Sequence, residues 1–172
     1  MSDSAAVNQD ARELELLRSR AFSGSYSHSL DGKGRLIVPT SFREALGSRL
    51  TVGPSLDCTC VALYPQDVWD ELIARFQKIN PLNKKAMQFV NMFRKFSFTC
   101  QEIDSQGRLL LPAKLRKYLL PDVRDVEVSG GQNCVLITAE EKADSENEAF
   151  FLNPDTAIAA AEAALEEAEK TE

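Results

Sequence analysis

Histidine is nearly missing from this chain of 172 residues: His28 is the single example. One imidazole, in a pattern that resembles no nucleophile–base pair, argues against triad chemistry and against histidine-rich metal sites. Long apolar stretches are missing too. No run approaches the roughly 18 residues that cross a bilayer, so no membrane partner is expected. Cysteine is sparse: Cys58 and Cys60 stand too close together for the usual zinc pair, and no second pair follows. With Cys100 and Cys134 they lie in apolar, strand-like surroundings and read as buried free thiols. No metal, no cofactor and no small-molecule substrate is expected. The opening stretch, Met1 to Arg20, is polar and holds four acids, unlike a secretory signal or a transit peptide. A cytoplasmic protein is the default expectation.

A positive excess is lacking as well, since the net charge is −6. The deficit is local. Residues 140–172 hold eleven acids and two bases, whereas residues 21–139 hold fifteen bases and eleven acids. Between Arg75 and Gln101 there are six bases and no acid. The whole-chain sign therefore does not exclude a polyanionic partner, although the tail opposes one.

What the chain does have is one sixteen-residue phrase written twice. Asp31-Gly-Lys-Gly-Arg35-Leu-Ile-Val-Pro39-Thr-Ser-Phe-Arg43-Glu-Ala-Leu46 returns, without a gap, as Asp104-Ser-Gln-Gly-Arg108-Leu-Leu-Leu-Pro112-Ala-Lys-Leu-Arg116-Lys-Tyr-Leu119. Such regularity implies one supersecondary unit built twice and packed on itself by a pseudo-twofold. The retained glycine, arginine and proline suggest a loop of fixed shape presenting a cation.

Around the first copy, Tyr26, His28 and Leu30 alternate with serines, which predicts a half-buried strand. Asp31 to Gly34 is turn chemistry. Leu36 to Val38 reads as a short apolar strand closed by Pro39. Ser41 and Glu44 match a capping box, opening a short helix that stops at Gly47. Leu50–Val52, a turn at Gly53-Pro54 and the run Cys58–Tyr64 suggest two further strands. Apolar residues from Val68 to Ile79 recur at a helical period, Asn80-Pro81 interrupts, and a second helix is expected over about Asn83–Phe96, burying Met87, Val90 and Phe93. The strand Phe98–Ile103 and the second phrase follow. Val126–Val128, a Gly130-Gly131 turn and Cys134–Ile137 repeat the later strands. Asn153 to Lys170 predicts an Ala/Glu-rich, solvated helix, and a short helix is expected around Glu13–Arg18.

Each repeat sets its arginine, Arg35 or Arg108, directly after a glycine at the mouth of an apolar strand. A strand fixes the base of the arginine, and glycine lets the backbone approach a partner closely. Guanidinium forks bind phosphate bidentately and, in the major groove, guanine O6 and N7. Lys33 adds a second cation to the first loop; Gln106 replaces it with a hydrogen-bonding amide. On the residues alone, another reading stands beside this one: Asp31 and Asp104 pair with those arginines merely to hold the turn. Arg43 and Arg116, on the short helices, read as surface or interface residues. His28 reads as a satisfied, semi-buried side chain.

The segment from Phe22 through Tyr26, His28 and Asp31 to Pro39, the Leu63-Tyr64-Pro65 stretch before Trp69, and the second Asp104-x-x-Gly107-Arg108 together resemble the MraZ family of bacterial transcriptional regulators. The resemblance covers about residues 22–141; residues 1–20 and the long acidic tail go beyond the family's usual pattern. It implies an α+β fold, a duplicated AbrB/SpoVT-like swapped-hairpin (double-split) β-barrel with short helices and a two-helix linker. It further implies a homo-oligomer, ring-like, that binds short direct repeats in promoter double-stranded DNA of the division and cell-wall gene cluster, nucleoid-associated in the cytoplasm. Carried over by position, the DNA-binding residues are Lys33, Gly34, Arg35, Gln106, Gly107 and Arg108, with Asp31, Pro39, Asp104 and Pro112 shaping the loops.

The expected organisation is an extension over 1–20, repeats over 25–68 and 98–141, a helical linker over 69–97 and an acidic tail over 142–172. A non-enzymatic, sequence-specific DNA-binding regulator is the leading reading, with no catalytic residues. The alternative is an oligomeric protein–protein interaction module, antitoxin-like or a scaffold, acting through its acidic tail.

Overall fold

Alternation of apolar and polar residues, and turns rich in Asp and Gly, give eight strands in the computed structural model, which describes residues 12, 13, 16 and 21–171. The expected helix around Glu13–Arg18 lies largely outside those residues. In the first repeat the elements are β1 (Ser25–Ser29), β2 (Arg35–Ile37), α1 (Thr40–Leu46), β3 (Leu50–Pro54) and β4 (Val61–Pro65). Helices α2 (Gln66–Phe76) and α3 (Lys84–Lys95) intervene. The second repeat runs β5 (Phe98–Gln101), β6 (Arg108–Leu110), α4 (Ala113–Leu119), β7 (Asp125–Gly130) and β8 (Val135–Ala139). This is an α+β architecture with antiparallel sheets and six helices among the described residues.

The two repeats exchange strands. One sheet has the order β1-β7-β8-β4-β3-β5, and β2 pairs with β6 in a separate two-stranded ribbon. Thus β1 lies on β7 of the second repeat, with Tyr26 opposite Val128, and β5 lies on β3 of the first. Swapping each strand for its counterpart turns the sheet order into its own reverse, as a pseudo-twofold requires. The reason is burial: a three-residue strand such as β2 cannot cover an apolar face alone. Leu36 and Leu109 meet opposite each other on the inner face of the ribbon, both buried.

The main core joins equivalent residues of both repeats, Val38 with Leu111, Phe42 with Leu115, and Val61 and Leu63 with Val135 and Ile137. A second cluster lies on the other side of β4 and β8, where Ala62, Tyr64, Cys134 and Leu136 meet Trp69 and Leu72 of α2 and Phe93 of α3. Strand β4 is therefore covered on both faces, which is why it reads as an unbroken apolar run. In α3, Val90 and Phe93 are buried and Met87 is half-buried. Asn83 caps that helix by accepting from the Ala86 N–H.

Three local expectations are corrected. No capping box forms at Ser41: α1 starts after Pro39, whose fixed φ is already helical, and the Pro39 carbonyl accepts from Phe42. Ser41 instead donates to the Tyr26 hydroxyl at 3.3 Å. Gly53 and Pro54 are not a turn but the end of β3, where glycine leaves room for the Ser97 side chain. The turn comes later, built by Ser55 and Asp57 around the Thr59 N–H. Finally, only Cys60 and Cys134 are buried, whereas Cys58, in that turn, and Cys100 are exposed. Burial pushes the Cys134 thiol up to about 11.

The chain divides into two compact units, Met1–Glu140 and Glu141–Glu172. The acidic end carries two helices, α5 (Glu140–Leu152) and α6 (Asp155–Glu169), rather than one. The interruption falls at Asn153-Pro154, where proline disfavours helical backbone in the residue before it. Every residue of α6 is exposed.

Candidate nucleic-acid interface

The two Asp-x-x-Gly-Arg loops are built by the same set of bonds. In the first, Asp31 Oδ1 accepts from the Lys33 and Arg35 backbone N–H groups, both at 2.9 Å. Gly34 N–H closes the turn on the Asp31 carbonyl at 2.9 Å, and Asp31 N–H returns to the Arg35 carbonyl at 3.0 Å. Arg35 Nε then donates to Asp31 Oδ2 at 2.6 Å. In the second loop Asp104 Oδ1 accepts from Gln106 and Arg108, Gly107 N–H closes on the Asp104 carbonyl, and Arg108 Nε reaches Asp104 Oδ2 at 2.8 Å. An aspartate at the first position is needed because one carboxylate must serve two amides and a guanidinium at once.

This set of donors holds both carboxylates ionised. The Arg35 backbone N–H foremost, with its side chain and the Lys33 N–H, brings the Asp31 carboxyl down to about 2. Asp104 is held below the ordinary carboxylate range by the same arrangement, led by the Arg108 N–H. The turn-holding pairing thus exists in both loops, through Nε. It does not bury the arginines: each side chain keeps 31% of its surface exposed. The two Nη groups of each arginine make no hydrogen bond among the described residues, so the outer edge of the fork is available for a bidentate acceptor.

Strand pairing puts both arginines on one surface. In the ribbon, Arg35 stands opposite Leu110 and Arg108 opposite Ile37. Residues alternate along each strand, so Leu36 and Leu109 point inward while these four point out. Ile37 and Leu110 are about half exposed, at 50% and 52%. They were not singled out in the sequence, where Leu36–Val38 reads as wholly apolar; the signal was the position two residues beyond each arginine on the same face. Lys33 and Gln106 are exposed at the loop tips, and Pro39 and Pro112 each begin a short helix.

The glycines serve another purpose than expected. Gly34 and Gly107 are buried and have φ of 78° and 77°, which favours glycine. Their open faces are not left for an incoming partner. A Cβ on Gly107 would collide with the guanidinium of Arg43, and one on Gly34 with that of Arg116. Arg43 and Arg116, expected as surface or interface residues, are thus half-buried in the contact between repeats.

His28 is half-buried on β1, facing Val126 across the sheet. Among the described residues no three His, Cys, Asp or Glu side chains gather as metal ligands would, and no helix is long and apolar enough to cross a membrane.

Comparison with known proteins gives concordant matches. The sequence model of the family described as "MraZ protein, putative antitoxin-like" matches residues 21–92 and 97–142. A protein of Desulfitobacterium hafniense named transcriptional regulator MraZ is 46% identical over 97 residues, covering 56% of this chain and 66% of its own length. Its namesake in Desulforamulus reducens is 40% identical over 126 residues, covering 73% of this chain and 87% of its own length. That of Lachnoclostridium phytofermentans is 36% identical over 124 residues, covering 72% and 85%.

Proposed function

The chain belongs to the MraZ family, and from that premise we propose that it is a sequence-specific DNA-binding transcriptional regulator rather than an enzyme. One observation carries the reading: two loops with the same hydrogen bonds project two partly exposed guanidinium edges, engaged by none of the described residues, from one face of a short two-stranded ribbon. A two-stranded ribbon fits the major groove, where Arg reads guanine and an apolar side chain meets the thymine methyl. Arg35 and Arg108 take the first role; Ile37 and Leu110 take the second. Lys33 contacts phosphate, Gln106 a base edge or phosphate, and Gly34 and Gly107, packed under the guanidinium groups of Arg116 and Arg43, set where Arg35 and Arg108 leave the loop.

A single arginine contact is weak, so several loops must act together. That requirement favours a ring-like homo-oligomer on short direct promoter repeats, with the division and cell-wall gene cluster as its target and the nucleoid as its site of action. The exchange of β1 and β5 between repeats favours a swapped-hairpin, double-split barrel, with repeats over 25–68 and 98–141, a linker over 69–97 and a tail over 142–172. Footprinting the purified full chain on DNA upstream of its own gene tests this reading. Protection at evenly spaced direct repeats is expected; uniform protection or none rejects sequence-specific recognition.

A second reading has one observation in its favour. The acidic C-terminal unit exposes Phe150, Phe151 and Leu152, the last two at 79% and 85%. Contiguous apolar side chains among acids suit a protein partner. A pull-down that depends on residues 142–172 but is indifferent to Arg35 would favour an interaction module.

A further inference from the structure

Arg43 and Arg116 each anchor within their own repeat and reach across the pseudo-twofold to a glycine of the other. Arg43 leaves α1 of the first repeat, donates through Nε to the Val38 carbonyl at 2.7 Å, and lays its guanidinium across Gly107 of the second loop. The Val38 N–H in turn donates to the Gly107 carbonyl at 2.9 Å. A closed circuit results, from Gly107 to Val38, from Val38 to Arg43, and back to Gly107. Arg116 repeats it with Leu111 and Gly34: its Nε donates to the Leu111 carbonyl at 3.0 Å, and the Leu111 N–H donates to the Gly34 carbonyl at 3.0 Å.

We infer that Arg43 and Arg116 are crossed positioning residues, each holding the arginine loop of the opposite repeat in the shape that presents Arg108 or Arg35. The chemistry selects arginine. Only a flat guanidinium can donate sideways from Nε while resting its face on a backbone that carries no Cβ; a lysine ammonium is a point charge on a flexible stem and does one or the other. The geometry likewise selects the crossing. Gly107 directly precedes Arg108, so the clamp from the first repeat acts on the residue that sets where the second guanidinium begins. Each loop is therefore held by the helix of the opposite repeat. Where the loops are said to meet DNA, the inference rests on the proposed function; the clamp itself does not.

Amide hydrogen exchange on the full chain tests the clamp without DNA. Gly107 and Arg108 N–H groups are both bonded to Asp104 and are protected only while the loop keeps its shape. Arg43→Ala is expected to speed their exchange about tenfold while leaving Gly34 and Arg35 unchanged, the asymmetry expected of a local opening. Arg43→Lys should behave like alanine, and Arg116→Ala should produce the mirror image. Equal acceleration in both loops, acceleration in neither, or full rescue by lysine overturns the inference. Titration with the upstream duplex adds a second arm. Arg43→Ala should weaken binding about tenfold in the wild-type or Arg35→Ala background, but less than about twofold in Arg108→Ala, as coupled residues do. Equal losses in both backgrounds contradict crossed positioning. If the wild-type chain fails to bind that duplex, the DNA reading falls and the exchange measurement alone decides the clamp.

Discussion

The first and second arginine loops share every backbone bond and differ at their tips, where Lys33 in one corresponds to Gln106 in the other. Shape and chemistry have been separated. Aspartate, glycine and the crossing arginine fix the shape, and none of them differs between copies. The tip position carries no structural bond from its side chain among the described residues, so it is free to hold a charge in one loop and an amide in the other. An equal pair of clamps thus presents an unequal pair of contacts, which gives the pseudo-symmetric face a direction along a duplex.

The strongest test removes what the loops have in common. Arg35→Ala with Arg108→Ala should abolish a gel shift on the upstream duplex, at roughly 1–3 kcal/mol per engaged loop if each reads guanine. An unchanged shift from a folded double variant sinks the DNA reading. Next comes the shape itself. Gly34→Ala or Gly107→Ala forces a side chain into positive φ and against a guanidinium, and should cost about 1–3 kcal/mol in denaturant unfolding. Combining Gly34→Ala with Arg116→Ala should relieve the collision but not the backbone strain, so recovery will be partial.

Deleting residues 142–172 contrasts both loops with the tail. It removes seven net negative charges and should tighten DNA binding severalfold at low salt, with the gain fading as ionic strength rises. Weaker binding after truncation would speak for the interaction module. The tips come next: Lys33→Gln should lower the slope of log affinity against log salt by about one, and Gln106→Lys should raise it by about one. Equal, null effects would remove the proposed asymmetry. The smallest effect concerns acid. Asp31 is depressed in the folded loop to about 2 from 3.8, so its contribution is complete above the unfolded value and is lost as pH falls through the folded one. Protection of the Lys33 N–H should therefore survive at pH 4 and disappear towards pH 2. Loss already near pH 4 would contradict the clasp.

Much of this arrangement could be read in the sequence because it rests on local chemistry. The Asp-x-x-Gly-Arg turns, the helical period through Trp69 and Leu72, and the break at Asn80-Pro81 all depend on residues close in the chain. What escaped was set by distant ones. Nothing near Ser41 discloses that Tyr26 will take its hydroxyl, and nothing near Gly53 that Ser97 will occupy its missing side chain. Arg43 read as a surface or interface residue with no contact named, because that contact, Gly107, arrives from the other repeat. Pairing across the pseudo-twofold decides these outcomes, and periodicity carries no record of it.

The palindromic order of the large sheet has a consequence for how the halves come together. Among the described strands, β1 and β5 each have a single neighbour, and that neighbour belongs to the other repeat. A protease cut in the segment between α2 and α3 would leave two fragments whose arms can be satisfied by each other. In the intact chain the connecting helices act as a tether that raises local concentration, whereas the severed pieces should reconstitute on mixing in a second-order reaction.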